Sequence, residues 1–219
     1  MCKKAVTTEM LDALRAELER KRDSGKISQK RFFHTIEVEK MAARLAAYYA
    51  PDKENVLRAA ALLHDITKEY SADMQIMLCA RHGIEVTETD MYAPKTFHAK
   101  TAAALIETEY PNFACSEVVE CVRWHTTGRA SMSLCEKLVY LADYIDMSRK
   151  FEDCVRLREY FFGADLDNMT AEQREAHLDD TLVTSFDMTI KGLLEEGTPI
   201  SPDTVAARNE LVVKRLRRK

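Results

Sequence analysis

The residues best suited to chemistry in this sequence are histidines and aspartates spread over its first two thirds. Five of the six histidines lie within the first 125 residues, and four of those five stand near the start or end of a predicted helix. Two aspartates lie inside apolar stretches, where an unpaired charge is costly. The set consists of His34, His64, Asp65, His98, His125 and Asp143.

A divalent cation would satisfy both aspartates, because neutral imidazole nitrogens and carboxylate oxygens together suit iron, manganese or zinc. His64 and Asp65 are adjacent, so on a helix their side chains point about 100° apart. Both can reach one ion only near the end of their helix, and His34 and Asp143 would supply the other ligands. Taken singly, each histidine is more often a structural residue than a ligand, so the pattern alone leaves both interpretations open.

The elements that position these residues are predicted to be helices. The chain has only 6 glycines and 5 prolines and lacks the two-residue alternation that is typical of strands. Apolar residues recur at helical spacing in many segments, which predicts an all-α fold. In the segment that begins at Ser28, this spacing places Phe33, Ile36, Met41, Leu45 and Tyr48 on the inner side. The predicted helices run from Met10 to Arg22, from Ser28 to before Pro51, from Asn55 to Ile66, from His98 to before Pro111, from Ser116 to Trp124, from Ser133 through Ile145, from Thr170 to Gly197 and onward from Ser201.

Length and charge narrow the classes of protein. A chain of 219 residues allows one sizeable core, so we predict a single domain over 1–219, with a helical core at about 28–150 on which the N-terminal and C-terminal helices pack. The net charge of -4 and the pI near 5.9 give no overall attraction to nucleic acid or to membranes. No apolar stretch has spanning length and no leader is recognisable, so we expect a cytoplasmic protein. A homodimer stays open.

The cysteines show no metal-binding spacing. The chain has six, scattered and without a Cys-x-x-Cys pair: Cys2, Cys79, Cys115, Cys121, Cys135 and Cys154. Neither a zinc site nor a disulfide framework is predicted, and we expect free, buried thiols.

Longer motifs surround the histidines and aspartates. They are Arg31-x-x-His34-Thr35, Leu62-Leu63-His64-Asp65-Ile66-Thr67-Lys68, Phe97-His98-Ala99, Trp124-His125-Thr126-Thr127-Gly128-Arg129, and Glu136-Lys137-Leu138-Val139-Tyr140-Leu141-Ala142-Asp143-Tyr144-Ile145 followed by Arg149. Together they resemble the HD superfamily of metal-dependent phosphohydrolases, and within it the YqeK family of symmetrical bis(5'-nucleosyl)-tetraphosphatases. The resemblance runs from about Leu11 to the final helix. It departs at Asp146-Met147-Ser148, where the family has a more acidic turn that contains Pro and Gly.

The resemblance implies a single-domain, HD-type helical bundle that binds iron, with manganese or another divalent metal as alternatives. The implied metal ligands are His34, His64, Asp65 and Asp143. The residues implied to face the nucleotide are His34, Asp65, Ile66, Thr67, Lys68, His98, His125, Thr126, Asp143 and Arg149. The candidate catalytic residues are Asp65, Lys68, His98 and His125. Some HD relatives hold a second ion, here between Asp65, His98 and His125, so one or two ions stay open.

The function implied is hydrolysis of diadenosine tetraphosphate to two ADP. A bound metal lowers the pKa of its water toward about 7, so metal-bound hydroxide would attack phosphorus. Lys68 would neutralise phosphate charge, while His98 and His125 would donate to the phosphate or protonate the leaving group. Two alternatives stay open: an HD phosphohydrolase of another nucleotide, such as a nucleoside monophosphate or guanosine tetraphosphate, and a non-catalytic nucleotide-sensing module.

Polar residues outside these motifs are expected to be structural. His82 precedes Gly83 and is predicted to end a helix, whereas His177 is predicted to be an exposed helix residue. Arg208 and Asn209 are interpreted as an exposed helix face, although a closing C-terminal helix could bring them to the nucleotide.

Overall fold

The computed structural model describes residues 5–218, and within this range the chain forms eleven α-helices and no strand. The helices are α1 (Thr8–Asp23), α2 (Gln29–Tyr49), α3 (Glu54–Leu63), α4 (Ala72–Arg81), α5 (Glu88–Met91), α6 (Phe97–Glu109), α7 (Ser116–Trp124), α8 (Leu134–Ile145), α9 (Glu152–Gly163), α10 (Ala171–Glu195) and α11 (Pro202–Arg217). Short 3-10 turns at Pro51–Lys53 and Pro94–Thr96 precede α3 and α6. The all-α, single-domain fold class is confirmed.

Side-chain caps fix where several helices begin. The Ser133 hydroxyl accepts the backbone N–H of Glu136 at 3.2 Å, which starts α8. Thr170 and Gln173 form a reciprocal capping box at α10, and Ser201 caps α11. These side chains satisfy backbone N–H groups that have no partner within their helix. The starts agree with those predicted from the sequence.

Three helices and one inward-facing side chain differ from the sequence interpretation. The predicted helices omit α5 and α9, and only the end of α4, at His82, was predicted, although α9 buries a narrow stripe made by Cys154, Leu157 and Phe161. Phe33 was expected on the inner side of α2 but is 52% exposed. The buried face of α2 is centred near Val38 instead, and Phe33, five residues earlier, points about 140° away from Val38 around the helix.

Helix α3 lies at the centre of the core. Leu57 and residues 59–63 are fully buried, and α3 contacts α1, α2, α7 and α8. Burial on most sides explains why the segment consists almost wholly of Ala and Leu, since small side chains let the neighbouring helices approach closely. The chain leaves this helix at His64, so the next residues emerge at the middle of the bundle.

A buried carboxylate ties the N-terminal helix to the core. Glu39 of α2 is only 3% exposed and accepts hydrogen bonds from Arg15 of α1, at 2.7 Å, and from Arg58 of α3, at 3.0 Å. Removal of either arginine would leave a buried charge partly unpaired, which is strongly destabilising. The pairing therefore fixes α1 against α2 and α3.

The C-terminal helices pack on the other side of the bundle. Helix α10 contacts α8 and α9, and α11 packs on α10. Lys137 of α8 joins the buried Asp179 of α10 at 2.8 Å. The predicted core boundaries at about 28–150 stay a prediction. Within residues 5–218, no helix is long and apolar enough to cross a membrane.

The cysteine prediction is confirmed in part. Cys79, Cys121, Cys135 and Cys154 are free and buried. Cys115 is disulfide-bonded, so the expectation of a free thiol is wrong there. Pairing depends on which cysteines the fold brings together rather than on their spacing in sequence, and so the sequence pattern did not reveal it. Cys2 lies outside the described residues.

Candidate metal centre and nucleotide cavity

Five helices deliver the predicted site residues to one place. His34 lies in the second turn of α2, Asp143 lies in α8, and His98 lies in the first turn of α6. The His-Asp pair follows directly after α3, where the sequence predicted the last turn of that helix, and His125 follows α7 in the same way. Helix ends therefore position three of these segments.

The four predicted metal ligands come together at the centre of the bundle. His34 Nε2 lies 3.0 Å from Asp143 Oδ1 and 3.7 Å from Asp65 Oδ2. His64 Nε2 lies 3.3 Å from Asp65 Oδ2 and 3.8 Å from Asp143 Oδ1. Ligand atoms of His34, His64 and Asp143 all fall within 4.8 Å of one another, as do those of a second group, His64, Asp65 and His125.

Several of these ligand atoms lack a hydrogen-bond partner. His34 Nε2, His64 Nε2 and Asp65 Oδ1 are each buried without one among the described residues. Leaving a buried polar atom unpaired costs about 1–3 kcal/mol, so three such atoms facing one point need a common partner. Two imidazoles with two carboxylates form a donor set that suits iron, manganese or zinc. The residues present therefore fit a divalent cation.

Backbone carbonyls fix the tautomers of three histidines. Nδ1 of His64 donates to the Ala61 carbonyl oxygen at 2.6 Å. Nδ1 of His125 donates to the Val122 carbonyl oxygen, also at 2.6 Å. His98 makes the same contact, with an N–O distance of 2.8 Å to the carbonyl three residues earlier. A carbonyl only accepts, so each Nδ1 carries the proton and each Nε2 presents a lone pair to the centre.

His98 and His125 form a second group on the opposite oxygen of Asp65. Asp65 Oδ1 lies 3.2 Å from His98 Nε2 and 3.7 Å from His125 Nε2. Lys68 Nζ lies 3.1 Å from His98 Nε2, and the Thr126 hydroxyl lies 3.0 and 3.1 Å from the two Nε2 atoms. Asp65 thus stands between the two groups, with one oxygen toward each.

The carboxylates are held in their charged forms. Burial raises the pKa of Asp65, but the electrostatic influence of His64 and the close imidazoles of His125 and His98 outweigh it and hold the pKa well below its ordinary value. Burial also raises the pKa of Asp143, but the charge of Arg149 and the close approach of His34 outweigh it and hold the pKa well below its ordinary value. Burial lowers the pKa of His34, but the close carboxylates of Asp143 and Asp146 outweigh it and raise the pKa to about 9.

The second group is held neutral. Burial lowers the pKa of His98 to about 4, and the attraction of Asp65 does not compensate. Burial likewise lowers the pKa of His125 and that of Lys68. Near neutral pH both imidazoles therefore carry a single proton, on Nδ1, and Nε2 stays an acceptor.

Two arginines and a turn after α8 contact the candidate metal ligands, and three of the residues involved were not expected at the site. Arg31 forms an ion pair with Asp65 Oδ2, and Arg149 donates to Asp143 Oδ1 at 2.6 Å. His34 Nδ1 lies 3.0 Å from Ser148 Oγ and 3.4 Å from Asp146 Oδ2. These three residues are Arg31, Asp146 and Ser148, and the last two belong to the segment that departs from the family pattern.

A cavity of about 570 Å³ opens beside the ligand cluster. Of the residues predicted to face the nucleotide, Lys68, His125, Thr126, Asp143 and Arg149 line it. Thr127, Tyr140 and Tyr144 from the same motifs also line the cavity. The remaining walls come from segments without chemical motifs, namely residues 92–96, the start of α9, the second half of α10 and the connection from α10 to α11. Sequence reasoning missed these walls because nothing in their composition marks them.

Two side chains that were predicted to face the nucleotide contact other parts of the protein instead. The Thr67 hydroxyl is buried and donates to the His98 carbonyl oxygen at 2.9 Å, which anchors the first turn of α6. Ile66 packs against the apolar core. These side chains support the site, and a contact with the nucleotide would have to come from their backbone.

The residues expected to be structural lie away from the cavity walls. His82 ends α4 before Gly83, as predicted. His177 is half-buried against Phe161 rather than exposed. Arg208 pairs with Asp187 at 2.8 Å.

Comparisons with known proteins agree with this geometry. The profile of the HD domain family matches residues 31–148. A symmetrical bis(5'-nucleosyl)-tetraphosphatase of Halalkalibacterium halodurans is 30% identical over 86% of this chain and 92% of its own length. The enzyme of the same name from Bacillus subtilis is 28% identical over 85% and 91%.

A solved structure shares the fold. It is a crystal structure of a predicted HD superfamily hydrolase involved in NAD metabolism from Clostridium acetobutylicum, with a TM-score of 0.77 and 28% identity over 93% of this chain and 97% of that one. The resemblance seen in the sequence motifs is confirmed. The family profile covers more than half of the 219 residues and spans every histidine and aspartate of the ligand cluster, so this chain belongs to the HD domain family.

Proposed function

We propose that this protein hydrolyses diadenosine tetraphosphate to two molecules of ADP with the help of a divalent cation. One observation carries the proposal: unpaired ligand atoms of His34, His64 and Asp65 converge beside a cavity lined by Lys68 and Arg149. Ligands for a cation next to side chains that bind anions suit the cleavage of a phosphoanhydride. The symmetrical tetraphosphatases that this chain resembles carry the same activity in their names.

We propose iron as the resident ion, with manganese as its nearest substitute. The donor set of two imidazoles and two carboxylates supports either. When bound, the ion supplies an activated water and polarises the phosphoryl oxygen. Its binding would also give a partner to His34 Nε2, His64 Nε2 and Asp65 Oδ1, which otherwise lack one.

Lys68 and Arg149 bind the phosphates in this proposal. Arg149 is already oriented, since its Nε donates to the Asp143 carbonyl oxygen at 3.0 Å while its Nη2 contacts the same residue's carboxylate. Lys68 rests against the His98 ring, and burial lowers its pKa, so its ammonium gains from an incoming anion. Both groups stabilise the charge that develops on phosphate oxygens.

His98 and His125 are better placed to bind a cation than to protonate a leaving group. Their Nε2 atoms are lone-pair acceptors in the tautomers that the backbone fixes. A phosphate oxygen is also an acceptor, and so it gains no hydrogen bond from either atom. With Asp65 Oδ1 beside them, these two atoms support a second ion, which was one of the two roles left open by the sequence.

The position of the nucleotide determines which bond breaks. The grip on one end of the substrate sets the register, because it decides which phosphorus lies beside His34, His64, Asp65 and Asp143, the residues that would hold the ion. If one ADP-sized half fills the cavity, with Lys68 and Arg149 on its phosphates, the central anhydride lies at the ion. This register yields two ADP.

Product analysis tests the proposal. The purified protein is incubated with diadenosine tetraphosphate and either iron or manganese, and the nucleotides are separated by chromatography. We expect ADP alone. Equal amounts of ATP and AMP would refute the register, and rapid hydrolysis of a nucleoside monophosphate without turnover of the dinucleotide would favour another substrate. Nucleotide binding without any hydrolysis would favour a sensing module. The cytoplasmic location and a homodimer stay predictions.

A further inference from the structure

The two most exposed large apolar side chains of residues 5–218 both stand on the wall of the nucleotide cavity. Phe151 is 72% exposed and Tyr92 is 69% exposed. Neither side chain makes a hydrogen bond, ring contact or cation–π contact with another described residue. Exposed aromatic rings contribute nothing to the core, so their shared position at one cavity needs a reason outside the fold.

The inner aromatic residues of the cavity behave differently. Tyr140 packs on Phe186 with ring centroids 4.7 Å apart, and it stacks on Tyr144 at 6.4 Å. The rings near the floor are thus already paired within the protein. The rings of Tyr92 and Phe151 keep their faces free.

Phe151 also occupies a backbone position that favours another residue. It is the N-cap of α9, with φ -61° and ψ 137°, and its side chain makes no capping hydrogen bond. Ser, Thr, Asp and Asn are preferred at this position because their oxygens accept the first free N–H groups of the helix. A break in a local rule, without gain in packing, is typical of a functional position.

The segment that carries Tyr92 is anchored near the same opening. Residues 92–96 line the cavity, and Lys95 pairs with Glu196, at the end of α10, at 3.1 Å. The connection from α10 to α11 lines the cavity as well. The Tyr92 ring is therefore presented by an anchored segment at the cavity wall.

A substrate that is cut at its centre extends beyond the cavity. Two nucleosides lie at equal chain distance from the bond that breaks, on either side of it. A cavity of about 570 Å³ is of the size that encloses one drug-sized ligand, so the second nucleoside extends to the mouth. A base at the mouth offers a flat, apolar face that stacks on aromatic rings.

We propose that Tyr92 and Phe151 form a stacking site for the outer nucleoside of the dinucleoside tetraphosphate. This inference rests on the proposed function, since it takes the inner half of the substrate to be ADP bound at the cation. Stacking tolerates every base, because each has a π face. The outer half of the substrate is therefore read by shape and not by hydrogen bonds.

Binding measurements compare a ligand with and without the outer nucleoside. Calorimetry with the metal-loaded protein gives Kd for ADP and for a diadenosine tetraphosphate analogue whose central bridging oxygen is replaced by methylene. We expect Phe151→Ala and Tyr92→Ala each to raise the Kd for the analogue about tenfold and to change the Kd for ADP by no more than about twofold. Phe151→Tyr and Tyr92→Phe keep the ring and should bind like the wild type.

One variant separates loss of a ring from loss of structure. Phe151→Ser supplies a preferred N-cap, so we expect its Tm to rise by a few degrees while binding of the analogue weakens about tenfold. Tyr160→Ala removes a ring that is 52% exposed and does not line the cavity, and it should change neither Kd.

The outcomes distinguish this inference from the proposed function. Equal weakening of both ligands, or no weakening of the analogue, would overturn the stacking site. So would a wild-type protein that binds the analogue no more tightly than ADP, whatever it hydrolyses. Failure of the wild type to convert diadenosine tetraphosphate to ADP would overturn the proposed function. The stacking site would still stand if the ring variants lost affinity for the analogue and kept their affinity for ADP.

Discussion

The Nε2 atoms of His98 and His125 lie 3.0 Å apart and cannot hydrogen bond to each other. The backbone carbonyls of Lys95 and Val122 take the Nδ1 proton of each ring, which leaves two lone pairs face to face. Such a pair needs a shared positive partner. The Lys68 ammonium lies 3.1 Å from His98 Nε2, and the Thr126 hydroxyl, which can donate to only one atom at a time, lies 3.0 and 3.1 Å from the two nitrogens.

This relationship predicts how two variants separate the ions. His125→Ala and His98→Ala should each keep the ion at the other four ligands, lose a second ion, and lower kcat, because that ion would help to neutralise charge on the phosphate. Metal analysis of the purified variants alongside turnover checks this. His82→Ala, which removes a histidine far along α4, serves as the control. If the metal content is unchanged while kcat falls, the two imidazoles contact the phosphate directly and do not bind a second ion.

The primary ion is predicted to depend on the two aspartates. Asp65→Ala or Asp143→Ala should abolish both metal binding and hydrolysis, because each carboxylate faces the unpaired imidazole nitrogens. The wild type should gain about 2.7 kcal/mol of stability at a metal concentration of 100 times Kd, since only the native state binds. The variants should gain none.

Thermal unfolding with and without manganese measures this difference. Asp23→Ala, at an exposed residue at the end of α1, is the control and should respond to metal like the wild type. A variant of Asp65 or Asp143 with full metal content and near-normal turnover would show that the ligand assignment is wrong.

The turn after α8 is predicted to support His34. Asp146 and Ser148 both contact Nδ1 of that ring, and partners of this kind orient a ligand and raise its basicity. Asp146→Ala should weaken metal binding about 10- to 100-fold, whereas Asp146→Asn, which retains an acceptor, should lose less. Metal titration gives the affinities, and circular dichroism checks the fold of each variant. Equal metal affinities of the wild type and Asp146→Ala would show that Asp146 does not support His34 as a ligand.

The sequence pointed to the candidate metal ligands because their chemistry is local. A histidine next to an aspartate at the end of an apolar helix signals a cation, and His34, His64, Asp65 and Asp143 do converge. The supporting role of Ser148 could not be found in this way. It depends on a contact between residues 114 positions apart, and the turn was visible only as a departure from the family pattern.

The cavity walls were hidden for a related reason. Residues 92–96 and the start of α9 carry neither a motif nor a strong periodic pattern, and their common location arises only from packing. Helical spacing predicted most of the helices, because amphipathic periodicity is a short-range signal. It failed for α9, whose buried stripe is narrow.

Gly128 is predicted to be required by both backbone and packing. Its φ is +63°, and a Cβ there would lie 2.7 Å from Phe186 Cζ. Gly128→Ala should therefore destabilise the protein by about 2–4 kcal/mol, the sum of left-handed strain and overpacking. Gly25, with φ +73° and nothing within 4 Å of its Cβ position, is a matched control.

Urea unfolding of both glycine variants separates the two effects. Gly25→Ala should lose only about 1–2 kcal/mol, because it suffers the same strain without the contact. Adding Phe186→Leu to Gly128→Ala should restore part of the loss. Equal destabilisation at the two glycines would show that the contact with Phe186 is relieved at no cost.

The imidazoles that turn toward Asp65 owe their orientation to very little of the chain. His64, His98 and His125 each bond to the carbonyl three residues earlier, so one turn of backbone aims each ring. Any helix of the right length and direction provides this turn, whatever apolar residues fill its buried face. Substitutions in the core can therefore accumulate over evolutionary time without redirecting the rings. Relatives that share only 26–30% of their residues with this chain can preserve one catalytic geometry in this way.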